Sequence, residues 1–219
     1  MVTEIETLVA RARELARGER RTIIGVAGPP GGGKSTLAQT VVAAVGSAAV
    51  LIPMDGFHLA QAELVRLGRR DRMGAPDTFD ALGYIALLRR LRERTEAVVY
   101  APEFRRETEE PIAGAIAIPR ATRLILTEGN YLLVPDEPWG AVRPLLDECW
   151  YAELDEATRL RWLIERHVRH GKTPQAAREW VERSDQANAA VVAATRSRAD
   201  VVVRLPVPEA GRHADQLDG

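Results

Sequence analysis

One run of residues carries the clearest chemistry in this sequence: Gly28-Pro29-Pro30-Gly31-Gly32-Gly33-Lys34-Ser35-Thr36. It satisfies the spacing G-x-x-x-x-G-K-[ST], the signature of a phosphate-binding loop. The glycines let backbone N–H groups wrap a chain of phosphates with no Cβ in the way. A helix that starts at the end of the loop turns its positive dipole end toward the same anion. Lys34 is placed to reach the β- and γ-phosphates, and the Ser35 hydroxyl to ligate Mg²⁺. The expected ligands are therefore ATP and Mg²⁺, held along Gly28–Thr36. The alternative is a glycine-rich turn that matches by accident. Against it stand an apolar strand pattern leading in, 21–27, and a helical pattern leading out, about 34–45. No N-K-x-D tetrapeptide is present to read a guanine base.

Two acids and two arginines give the loop a reaction. Asp55, in Pro53-Met54-Asp55-Gly56-Phe57-His58, ends the second apolar segment. In a parallel α/β sheet the C-terminal strand ends line the ligand crevice. A carboxylate there accepts a proton from an attacking hydroxyl, and Gly56 lets a substrate approach the backbone. An ordinary Asp-Gly turn remains the alternative. Glu128 follows the apolar run Leu124–Thr127 and reads as a second, metal-directed carboxylate, with a turn or helix-capping acid as its alternative. Arg166 and Arg169 are three apart, so they share a helix face and can close over phosphates. A solvated basic face, with Glu165 pairing Arg169, is the competing reading. All the basic residues except Lys34 and Lys172 are arginine. A lysine is then a choice of a compact point charge over a planar fork, and both lysines fall where phosphate is expected.

Strands alternating with helices must position these groups. Thr3 and Glu6 have capping-box spacing for a helix over 3–17 with Ile5, Leu8, Ala12 and Leu15 on its apolar face. Further strands are expected at 48–52, 98–100, 124–127, 148–154 and 199–205, a short helix followed by a basic loop over 58–70, and helices at 139–146 and near 174–183. Asp80 caps a helix whose core row is Leu82, Ile85, Leu88 and Leu91. Asp155 caps one carrying Leu160, Leu163, Ile164 and His167, and Gly171 ends it. Residues 102–120 read as loops with a hairpin. The alternation predicts an α/β fold with a mostly parallel sheet covered on both faces, a three-layer α/β/α arrangement. One domain over 1–219 is expected, with an Arg-rich lid at about 158–175 and a frayed tail after Pro206.

Composition narrows the class. The chain has 219 residues, 46% apolar and 28% charged, which suits a globular protein with a real core. A net charge of −1 removes bulk attraction to nucleic acid or an anionic membrane. No run approaches the roughly 18 apolar residues of a membrane span, and the acidic, amphipathic start is not a secretory signal. Cys149 is the one cysteine, so an internal disulfide framework is excluded and a reducing cytoplasm is the expected location.

The order of phosphate loop, Asp55-Gly56-Phe57, Pro76-Asp77-Thr78-Phe79-Asp80, Glu128-Gly129 and an Arg-rich helix resembles the phosphoribulokinase/uridine kinase family. That family includes uridine–cytidine kinases and bacterial pantothenate kinases. The nearest likeness is to a bacterial subgroup described as fructose-transport-system or nucleoside/nucleotide-type kinases, over about residues 20–205. The resemblance implies a P-loop kinase fold and an ATP-dependent transfer of the γ-phosphoryl group to a small-molecule hydroxyl, with a homodimer as a common state. It implies Asp55 as catalytic base, Asp77 on acceptor hydroxyls, Tyr100 and Phe104 in the acceptor pocket, and Glu128 on Mg²⁺. It puts Arg166 and Arg169 in the lid, Arg196 beside the adenine, and Asn188 near the site. His58 reads either as a further acceptor contact or as a packed, hydrogen-bonded loop histidine, and core packing is the alternative for Tyr100 and Phe104. Uridine kinases carry Tyr-Asp-Phe and then a His in the acceptor stretch. Here the stretch is Tyr100-Ala101-Pro102-Glu103-Phe104-Arg105-Arg106, and with Glu109 and Glu110 it suits a small sugar- or nucleoside-like acceptor.

Overall fold

The computed structural model describes residues 2–206; the expected frayed tail after Pro206 lies outside the described residues. Six strands form one parallel sheet: β1 (Val2–Thr3), β2 (Thr22–Ala27), β3 (Ala49–Pro53), β6 (Leu124–Gly129), β7 (Glu148–Glu153) and β8 (Val201–Arg204), in the order β1-β8-β7-β2-β6-β3. β2 and β6 are buried at every residue, as continuous apolar runs in a two-sided sheet must be. On one face, Ile24 and Val26 pack with Leu8 and Ala12 of α1 (Ile5–Ala16) and Leu37 and Val41 of α2 (Lys34–Val45). On the other, Ile23, Ile52 and Ile125 pack with Tyr84, Leu88 and Leu91 of α4 (Ala81–Glu93). β4 (Val98–Arg105) and β5 (Glu110–Pro119) form a separate antiparallel hairpin, longer than the short strand at 98–100 and the hairpin within 102–120 that the sequence suggests. Among the described residues no helix is long and apolar enough to cross a membrane.

Local expectations failed for physical reasons. The N-cap place of α1 falls to Glu4, whose side chain makes no cap bond, because residues 2–3 pair as β1 with β8. Leu82 is 68% exposed. Residues three apart drift about 60° per step around a 3.6-residue turn, so a row from Leu82 to Leu91 sweeps off the core face. Tyr84 and Leu87 take the vacated places. The short helix and basic loop expected over 58–70 are α3 (Gln61–Arg66) and the segment after it, which includes a 3₁₀ turn at Arg70–Arg72. Residues 139–146 make two 3₁₀ turns. The helix near 174–183 becomes α6 (Pro174–Trp180), a π-helical turn (Val181–Asp185) and α7 (Gln186–Ala193). Asp80 and Asp155 do cap α4 and α5 (Glu156–Arg169), accepting from Gly83 N at 2.8 Å and Thr158 N at 2.9 Å.

The hairpin is tied to the sheet by a buried cation. The Arg21 guanidinium donates to the carbonyls of Thr122, Leu91, Pro119 and Arg120, joining the start of β2 to the end of α4 and the exit of β5. Cys149 is fully buried in β7, and burial pushes its thiol up to about 12. At pH 8 the folded protein should resist iodoacetamide at Cys149, and denaturant should expose it to complete alkylation. Rapid labelling of the native chain would contradict this placement of β7 in the core.

Candidate active site

Strand register assembles the site. Glu128 of β6 lies opposite Val26 of β2 on one side and Pro53 of β3 on the other. β2 therefore delivers the loop that begins at Gly28, and β3 delivers Asp55, to the two flanks of one glutamate. β6 separates the two strands that α2 connects, so the crevice opens where strand order reverses. A cavity of about 170 Å³ there is lined by Pro30, Gly31, Lys34, Ser35, Asp55, His58, Phe104, Glu128, Arg166 and Asn188, all from the sequence expectation.

The loop is shaped as its composition requires. Gly31 has φ +72°, and a Cβ on it would sit 2.5 Å from Leu163 Cγ of α5. Gly33 has φ +81° and precedes the first residue of α2. Lys34 is buried, and its ammonium donates to Pro29 O at 3.0 Å. Two of its three donors are left for a ligand. Ser35 Oγ donates to Glu128 Oε1 at 3.1 Å. This paired hydroxyl and carboxylate is a hard-oxygen set that fits Mg²⁺, which takes one or two protein oxygens together with substrate phosphates. Among the described residues no group of three or more His, Cys, Asp or Glu could cage a metal without such a ligand.

Electrostatics split the two acids. Burial raises Asp55, but the charges of His58, Arg106, Lys34 and Arg166 outweigh it and hold its carboxyl below the ordinary range. Burial and the nearby Asp55 raise Glu128, against the pull of Lys34 and the Ser35 bond. Burial lowers the Lys34 ammonium, opposed by Glu128 and Asp55. The His58 ring nitrogen Nδ1 lies 2.7 Å from Asp55 O; a carbonyl only accepts, so Nδ1 donates the hydrogen. The His58 ring lies between Phe79 and Phe104, with centroids at 4.0 and 4.6 Å.

Other expected residues fall elsewhere. Asp77 does not line the cavity: it is 44% exposed in its side chain and is bound by Arg72 and Arg69. Tyr100 is 58% exposed and points away. The β4–β5 register shifts between Ala101 and Glu103, around Pro102, which has no N–H for the ladder. Before the shift, Val99 and Ala101 face the core; after it, Phe104 and Arg106 face the cavity. Gly56 makes room for protein rather than substrate, since a Cβ would meet Pro102 O at 2.3 Å. Arg196 pairs with Glu153 at 2.9 Å, outside the cavity lining. Arg169 is exposed and also outside it, whereas Arg166 lines it. Thr36 follows Ser35 in α2, and its carbonyl accepts from Thr40 Oγ1 at 2.8 Å. Asn188 is buried and donates to Gly74 O at 3.2 Å.

The structure adds residues that the sequence reading passed over. Arg159, on the first turns of α5, is 5% exposed and donates to Pro30 O at 3.2 Å and to Gln186 of α7. His167, read as part of an apolar face, lines the cavity and bonds Asp185 Oδ2 at 2.8 Å. Trp180 also lines it, with Lys172 Nζ 4.6 Å above its ring. Only the placement of Arg159 four residues after the Asp155 cap, facing inward with Leu163, hinted at any of this.

The sequence matches the Phosphoribulokinase / Uridine kinase family over residues 23–209. It is 33% identical, over 93% of its length and 91% of the relative's, to a Schizosaccharomyces pombe protein provisionally named a uridine kinase. The fold is similar to a crystal structure from Silicibacter sp. TM1040, provisionally named a fructose transport system kinase. The TM-score is 0.80 at 32% identity, covering 93% of this chain and all of that one. Saccharomyces cerevisiae YFH7, described as a P-loop kinase with a circular permutation, shares the fold with a TM-score of 0.78 at 17% identity, over 93% and 99% of the two chains.

Gly31→Ala should cut ATP affinity at least about tenfold, because the Cβ meets Leu163 and an L-residue in the left-handed region costs about 1–2 kcal/mol. Adding Leu163→Ala should restore part of the loss, since it frees the space but not the φ angle. Titration with a fluorescent ATP analogue reads both, and unchanged binding in the single variant would remove the loop from the nucleotide site.

Proposed function

The chain belongs to the phosphoribulokinase/uridine kinase family and is an ATP-dependent small-molecule kinase acting on a hydroxyl; on that premise we propose the roles of its residues. Asp55 receives the proton of the acceptor hydroxyl. Lys34 and Arg166 balance charge on the transferred group. Ser35 and Glu128 would hold Mg²⁺, which would neutralise charge on the phosphates. The supporting observation is the register that places the phosphate loop and Asp55 on either side of Glu128.

The arrangement works through position and field. Asp55 stays ionised because cations surround it, so it is ready to accept a proton at neutral pH. Its basicity is correspondingly weak, so proton transfer runs late, as charge leaves the hydroxyl for the phosphoryl group. His58 Nε2 and the Phe104 ring form the wall on which the acceptor rests. Burial and Asp55 raise the Glu128 carboxyl, and a cation bound beside it would supply the counter-charge. Arg166 approaches from α5, whose first turns rest on the loop through Leu163 and Arg159. The acceptor itself is proposed as a small sugar- or nucleoside-like alcohol.

Asp55→Asn should retain ATP binding and lose turnover by about 10²–10⁴-fold, the usual worth of a general base. Near-normal turnover would take the role from Asp55. Lys34→Ala should abolish turnover with every acceptor. Arg166→Ala should lower kcat more than it raises KM for the acceptor, whereas a pure affinity loss would put Arg166 on the substrate. Both quantities come from ADP release under Mg·ATP with a panel of sugars, nucleosides and pantothenate.

A further inference from the structure

We propose that the acceptor carries an anionic group, carboxylate or phosphate, which Arg106 on the hairpin arm of the cavity binds while the acceptor's hydroxyl meets Asp55. This rests on the kinase reading and narrows its substrate class.

The cavity holds many charged groups, and their partners can be followed one by one. Glu109 is neutralised by Arg70 at 2.5 Å. Asp185 is bonded to His167 at 2.8 Å. Glu128 accepts from Ser35, and Lys34 donates to Pro29 O. Lys172 rests on Trp180. Arginines near the rim are likewise engaged: Arg69 and Arg72 with Asp77, Arg159 with Pro30 O and Gln186. Arg106 differs. It is half-buried and lines the cavity, yet no hydrogen bond, ion pair or ring contact to a described residue ends on its guanidinium.

A half-buried guanidinium has five donors in a rigid plane and has lost part of its water. Its natural complement is a carboxylate or phosphate, which takes two parallel N–H bonds at once. The neighbouring acid on the hairpin, Glu109, cannot serve, because Arg70 already claims it. The two acids whose field Arg106 feels, Asp55 and Glu128, are needed at the reacting end. The register shift at Pro102 is what turns Arg106 inward together with Phe104, while Arg105 stays exposed. One arm thus offers an aromatic wall and then a cation, an order that suits a short carbon chain ending in an anion.

Three probes share one polyol chain and differ only at its end: ribitol, D-ribonate and D-ribitol 5-phosphate. Each is titrated by calorimetry into the protein saturated with Mg²⁺ and a non-hydrolysable ATP analogue. At least one anion should bind about 10–100-fold more tightly than ribitol, the worth of charge-assisted hydrogen bonds at about 1.5–3 kcal/mol. Which of the two binds better separates a carboxylate from a phosphate. Arg106→Gln should erase that preference and leave the analogue's affinity unchanged, and Arg106→Lys should keep part of it. The inference is overturned if ribitol equals the anions, if none of the three binds, or if Arg106→Gln weakens the analogue as much as the anions. That last result would place Arg106 on the triphosphate. Acceptor-dependent ADP release tests the kinase reading separately. Release with uridine or ribose and no anion preference sinks the inference alone. No release from any compound, with the anion preference intact, sinks the kinase reading and leaves an anion site.

Discussion

The position of β6 between β2 and β3 is the constraint from which the site follows. Register in a buried parallel sheet is strongly specified, because a slip by one residue exchanges the faces of every side chain. Here a slip of β6 would take Glu128 out of line with Val26 and Pro53. It would also move Ile125, which packs beneath α4, onto the face that Leu126 shares with α2. Core packing on two faces therefore holds the distance between a phosphate loop and an acid that belong to different strands. Thr127 reinforces the alignment: its hydroxyl donates to Ile52 O of β3 at 2.7 Å and meets the buried Tyr84 hydroxyl at 2.6 Å.

Within that frame the cavity concentrates charge that a stable core would avoid. Asp55 and Glu128 repel one another, Lys34 is buried beside them, and Arg106 and Arg166 add like charge to it. Such groups, poised but not mutually neutralised, favour anionic ligands whose charge completes the set. Lys34 is a compact charge buried in the loop, while Arg106 and Arg166 bring planar forks to the same cavity.

How much of this could be read from the residues depended on whether the signal was local. The phosphate loop, Asp55 and Glu128 were legible because each lies directly at the end of an apolar run, where chain order and spatial order agree. The helix caps at Asp80 and Asp155 were legible for the same reason. The acceptor side was not. Tyr100 and Phe104 have equal parity and would share a face in a regular strand, but the shift at Pro102 parts them. Asp77 was claimed by Arg72 and Arg69 from its own loop. Leu82 failed because a three-residue period is not a helical period. Arg159, His167 and Trp180 depend on how α5, α6 and α7 fold back over the loop, and no spacing within one element records that.

That fold-back makes the two substrates' sites interdependent. Leu163 fills the space above Gly31, and Arg159 holds both Pro30 O and Gln186, so the loop, α5 and α7 share contacts. The expected lid at 158–175 is therefore not free along its whole length, since its first turns are part of the nucleotide cradle. Any shift of the loop on taking up phosphate must be felt through Leu163 and Arg159 by the helix that carries Arg166. It must also be felt by the helix that carries Asn188, whose amide reaches across to Gly74 O. On the roles proposed for these residues, such a link would let nucleotide binding set Arg166 in place before the acceptor arrives, which would favour transfer to an alcohol over transfer to water.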